Sequence, residues 1–105
     1  MSGIIFHAVE LITESRSIEE YIPSLQRRME DIATNIQCVD NELHRRNYVG
    51  DTLNLSLVDR FKIENLVEIR VFLRSRYLKI LCQIETLERR LQELNLQIMQ
   101  LESAE

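Results

Sequence analysis

Glycine and proline are scarce, with two and one respectively in 105 residues. Few positions can therefore turn through positive φ or surrender an amide hydrogen bond, which excludes a loop-rich fold and favours long uninterrupted elements. Also missing is any apolar run of about 18 residues, so no transmembrane span is expected. The opening Met1-Ser2-Gly3-Ile4-Ile5-Phe6-His7 has no basic leader, and Glu10 and Glu14 interrupt the apolar residues beyond it, so a secretory signal is not expected either. A soluble intracellular protein, cytoplasmic or nuclear, is the expectation. The two cysteines, Cys38 and Cys82, are far apart and fit no metal-ligand spacing, so they read as free thiols in a reducing compartment. Large charge of one sign is lacking too. A formal −4, from 17 acidic and 13 basic residues, provides no overall attraction to nucleic acid or to an anionic membrane surface.

The composition is that of an ordered protein, 45% hydrophobic and 29% charged, laid out with a strict period. Ile4, Ala8, Leu11, Ser15, Ile18, Ile22, Leu25, Met29, Ile32, Ile36, Val39 and Leu43 are separated by alternating steps of four and three. This is a heptad seam with Ala8, Ser15, Ile22, Met29, Ile36 and Leu43 at a and the others at d, and Ser15 is its only polar member. Strands, whose apolar residues alternate with period two, do not produce it. The spacing predicts a helix over about 4–46. Two features argue for a kink or restart between residues 15 and 23: the capping-box pattern Ser17-Ile18-Glu19-Glu20, and Pro23 shortly after it. The heptad phase does not slip there, which favours a bent rod over two separate helices.

The pattern fails after Leu43, and Asn47, Gly50, Asp51 and Thr52 mark a turn over about 47–55. His44, Arg45 and Arg46 suit the carbonyl-rich end of a preceding helix, and Ser56-Leu57-Val58-Asp59 suits the cap of the next. The second helix, over about 56–103, carries Leu73, Tyr77, Ile80, Ile84, Leu87, Leu91, Leu94, Ile98 and Leu101. Before Leu73 the stripe is read through Leu66 and Ile69, which implies a stutter. Val67, Val71, Leu78, Leu81 and Cys82 lie off the seam, so the stretch from Leu66 to Ile84 is expected to be covered by more than one neighbouring helix.

A turn near Asp51 places Leu25 near Tyr77, Ile18 near Ile84 and Leu11 near Leu91. The expected fold is all-α: one helical domain over residues 1–105, a long antiparallel, coiled-coil-like hairpin that assembles into a helical bundle. A two-helix rod has no enclosed interior, and leaving apolar surface in water costs roughly 25 cal/mol per Å². Assembly removes that deficit through Ile22, Leu25, Met29, Ile32, Ile36, Leu66, Val67, Val71, Leu73, Tyr77, Leu78, Ile80, Leu81, Ile84, Leu87, Leu91, Leu94 and Ile98. The partner is a protein, either a second copy or a different chain. No repeated opposite-charge pairing flanks the second seam, which tilts the reading towards a heteromeric complex.

No constellation for catalysis stands out. His7 and His44 have no nucleophile and carboxylate that the sequence places beside them, and Glu19-Glu20 and Glu30-Asp31 are neighbours on helices that point about 100° apart. A non-enzymatic protein is expected, with no cofactor and no metal site. The alternative is a nucleic-acid-binding helical module using the basic run Arg60, Lys62, Arg70, Arg74, Arg76 and Lys79, of which Arg70, Arg74, Arg76 and Lys79 are the candidate contacts. Glu64 and Glu68 break that stripe. The segment Ile4 to Ile12 could lie on a membrane, but it lacks a basic polar face, and packing within the bundle is the stronger reading. Phe72 to Ile80, preceded by Glu68-Ile69-Arg70, loosely resembles the arginine-studded helix of the GINS replication subunits, which belongs to a small helical domain in a heteromeric complex. The likeness covers a short stretch and needs a gap inside a helix, so no family is assigned on it.

Overall fold

The structure, a computed structural model, describes residues 2–46 and 56–103. Helix α1 spans Ser2–Arg45 and helix α2 spans Leu57–Ser103, and no strand occurs among the described residues. The turn expected over 47–55 lies outside the described residues. The bounds agree with the periodicity to within two residues, the usual scatter at helix ends. Ser56 caps α2 as its position suggests: its Oγ accepts the Asp59 amide at 3.2 Å and donates to Asp59 Oδ2 at 2.8 Å. At the end of α1, Glu42 receives Arg45 at 2.7 Å and Arg46 at 2.9 Å.

Of the kink or restart expected between residues 15 and 23, the restart does not occur: α1 is one α-helix with Pro23 inside it. Pro23 sits at a b position, one residue past the seam member Ile22, and it lies off the buried face, while Glu19, whose carbonyl loses its amide partner, is exposed. Water can therefore satisfy that carbonyl, and the ring stays clear of the seam. Ile18 and Leu25, on the other face, are buried and keep the heptad phase through the proline. The serine of the capping-box pattern, Ser17, is exposed mid-helix and starts nothing.

Both helices contribute to two compact units, one of Met1–Arg27 with Leu81–Glu105 and one of Arg28–Ile80. Within each the two helices pair antiparallel, and the fold is an all-α helical hairpin. In the first unit Leu11, Ile18 and Leu94 form a buried cluster, with Ile22, Leu87, Leu91, Ile98 and Leu101 packed against it. Leu25 and Ile84 are buried there as well. In the second unit the buried side chains are Ile32, Leu43, Ile63 and Ile80. Every member of the first seam is buried or half-buried except Ile4, at the open end of the first unit.

Two details of the expected pattern change. The stutter before Leu73 is absent: Ile69 is exposed, whereas Ile63, Leu66 and Arg70 are buried or half-buried. Ile63, Leu66, Arg70, Leu73 and Tyr77 keep the alternation of three and four, so the heptad phase is unbroken and an arginine occupies an a position. The meeting points also shift. Leu11 shares its cluster with Leu91, but also with Leu94, and Ile84 lies outside the cluster that holds Ile18. Ser15, which the expected alignment sets opposite Leu87, bonds Asn95 instead, about two turns further on. Side chains on a helix slant towards its own amino terminus. In an antiparallel pair the two slants oppose, which accounts for part of the offset; the expected alignment also assumes a turn centred near Asp51.

Leu25 is fully buried. Leu25→Ala is expected to lower stability by about 2–5 kcal/mol, measured by urea unfolding at 25 °C. Ile84→Asp places a carboxylate in the same seam and is expected to abolish most of the helical circular dichroism at 25 °C. Retention of full ellipticity would contradict the packing described.

Candidate interaction surface

Polar groups interrupt the apolar seams at two places, one in each unit. In the first, Ser15 is buried and its Oγ donates to Asn95 Oδ1 at 3.4 Å. In the second, Arg70 Nη1 donates to Asp40 Oδ1 at 3.3 Å, with side-chain exposures of 23% and 35%. Arg70 Nε is buried without a hydrogen-bond partner among the described residues. Arg70 is thus committed to its own chain, which removes it from the group of cations available to a phosphate.

The first unit is bridged at its border by Arg90, which donates to both Glu14 carboxylate oxygens at 2.8 and 3.0 Å. Glu14 and Arg90 occupy g positions of their seams, the positions that face each other across an antiparallel pair. The hydrogen bond from Arg90, with its positive charge, holds the Glu14 carboxyl below the usual carboxylate range. Flanking charge therefore pairs within the chain here, a role that a search for parallel self-pairing does not reveal.

The apolar residues expected at an interface divide into two groups. Leu25, Ile32, Ile80, Ile84 and Leu94 are buried, and Ile22, Met29, Ile36, Leu66, Val67, Leu73, Tyr77, Leu81, Leu87, Leu91 and Ile98 are half-buried. The seam members among them meet the other helix of the same chain. Val71 and Leu78 stand apart, exposed by 61% and 58%, and with them Phe72 at 59%. Phe72 is the residue that sequence reasoning missed, although its place one position after Val71 puts it on the same outward side.

These three residues belong to the second unit and share the face of α2 opposite its seam. With Arg70 and Tyr77 at a, Val71 and Leu78 fall at b, Phe72 and Lys79 at c, and Ser75 at f between them. Arg74, at e, borders the Val71 side. Arg76, at g, borders the Phe72 side, and its guanidinium lies 5.8 Å from the Phe72 ring centroid, a cation–π contact. From Ile69 to Ile84 the sequence contains Arg70, Arg74, Arg76 and Lys79 and no aspartate or glutamate. The result is an exposed apolar stripe between cationic borders.

Other exposed apolar groups lie at Ile4, Ile5, Phe6, Val9 and Ile12 and at Leu57, Val58 and Phe61. The first of these groups, expected to pack within an assembled bundle, is not covered by its own chain. In the first unit only Ala8 and Leu11 of that segment turn inward, half-buried and buried, and Ile4, Ile5, Val9 and Ile12 line an open groove with Ile98 and Leu101. His7, His44, Cys38 and Cys82 lie outside the buried core, and the described residues contain no group of three or more potential metal ligands. Among the described residues, no helix is long and apolar enough to cross a membrane.

The Glu14–Arg90 pair has a defined pH signature. A carboxyl lowered by folding adds stability above its unfolded pKa, and that increment is lost as pH falls through the lowered folded value. The melting-temperature difference between the wild type and Glu14→Gln is therefore expected to be present at pH 7, to begin to shrink near the ordinary glutamate pKa of about 4.3, and to vanish only once the pH lies below the lowered folded value. An equal difference at both ends of that range would contradict the assignment. In comparisons with protein-family models, curated proteins and solved structures, the chain matches none.

Proposed function

We propose that this protein is a non-enzymatic structural subunit that joins an intracellular helical complex through protein–protein contacts. Its two seams close the hairpin on itself, and the outward face of α2 around Val71, Phe72 and Leu78 carries the association. The observation that supports this reading is the exposure of those three large apolar side chains on the side of the helix that its own partner helix leaves open. Apolar groups clustered at a surface with a charged rim are the usual mark of an interaction site.

A nucleic-acid-binding module is the second reading, and Arg74, Arg76 and Lys79 without an intervening acid favour it. Arg70 is spent on Asp40, however, and the surface between the remaining cations is aliphatic and aromatic, which phosphates do not reward.

Sedimentation velocity of the full chain, alone and with partners captured from its native extract, tests the role. The expected result is an assembly larger than one chain that Leu78→Asp abolishes. Because Leu78 is exposed, that variant should keep its helical signal and unfold within about 0.5 kcal/mol of the wild type. A wild-type chain that remains alone in both settings would defeat the proposal. So would salt-sensitive binding of duplex or single-stranded nucleic acid that Arg74→Glu with Lys79→Glu eliminates and Leu78→Asp does not.

A further inference from the structure

Resting on that reading, we infer that the occupant of the outer α2 face is an acidic amphipathic helix of a different protein. The geometry supplies three arguments. Val71 and Leu78 occupy the b position of two successive heptads with Phe72 at c beside the first, a seven-residue spacing that an incoming helix can match with its own apolar residues. Ser75, the residue at the middle of the stripe, is small, so a second helix can approach α2 closely there. Arg74 on one border and Arg76 on the other, with Lys79 within the stripe beside Leu78, give the face cations on both sides, where the flanking positions of an incoming helix would lie.

Charge then selects among occupants. The same face of a second copy would bring Arg74, Arg76 and Lys79 against their own counterparts, with no acidic residue between Ile69 and Ile84 to relieve the repulsion. A helix with glutamate or aspartate beside its apolar stripe relieves it on both borders. An anionic lipid surface would also meet the cations, but Ser75 interrupts the apolar face at its centre and three side chains offer little to insert. The helix is therefore the occupant that the face fits.

Two synthetic helical peptides of three heptads test this, both with leucine at a and d, one with glutamate and the other with lysine at e and g. Binding to the full chain is read by fluorescence anisotropy. The glutamate peptide is expected to bind at least about tenfold more tightly than the lysine peptide, and to weaken as salt is raised. Leu78→Ser and Arg74→Glu should each weaken it about fivefold or more while leaving the circular dichroism of the protein unchanged.

Equal binding of the two peptides overturns the inference, as does binding indifferent to Leu78→Ser, which would mean that the peptide enters the seams. Preferential retention by phosphatidylserine vesicles or by duplex DNA overturns it in favour of those surfaces. A concentration-dependent dimer of the chain that Leu78→Ser dissolves overturns it too, and assigns the face to a second copy. If a natural partner is lost on Leu78→Asp yet the glutamate peptide shows no preference, the inference fails and the proposed role stands. If neither partner nor self-assembly exists, the role itself falls.

Discussion

The constraint on which the rest depends is an unbroken heptad phase carried by both helices and satisfied within the chain. Apolar side chains that recur at steps of three and four stay on one side of a helix only while the count holds. In α1 the count survives Pro23, and in α2 it survives Arg70. Each interruption is tolerated for a different reason. Pro23 lies off the seam, where water can compensate the lost hydrogen bond, and Arg70 points inward but finds Asp40 on the facing helix.

Because the seams face inward within the chain, the surface proposed for association is not the one that carries the strongest pattern. Leu25, Ile80, Ile84 and Leu94 dominate the periodicity and are buried by the chain itself. The residues left in water on α2 are fewer and weaker in pattern. Val71, Phe72 and Leu78 have no long repeat, and their distinction is the pairing of exposure with cations of one sign. On the proposed reading, fold and association draw on separate faces of the same helix.

Much of the architecture was legible in the sequence, and the parts that were not have physical causes. The helix bounds and both seams follow from spacing, and the Ser56 cap follows from a side chain whose oxygen can reach an orphan amide. Ile63 and Arg70 escaped because an arginine at a seam position reads as a break, which diverted the stripe to Ile69. The meeting of Ser15 with Asn95 escaped because spacing fixes the phase of each helix but not the register between the two. Phe72 escaped because it lies off the seam, where spacing alone does not show whether an apolar side chain is covered.

Arg70 and Ser15 have a further consequence. Leucine and isoleucine repeat so evenly along α2 that sliding one helix past the other by seven residues would exchange like for like at most rungs. A slip of that size would part Arg70 from Asp40, leaving the half-buried guanidinium without that carboxylate, and would part Ser15 from Asn95. The two polar rungs therefore act as a ratchet pawl for the zipper: they add little cohesion, but they make one alignment distinguishable from its near-identical neighbours.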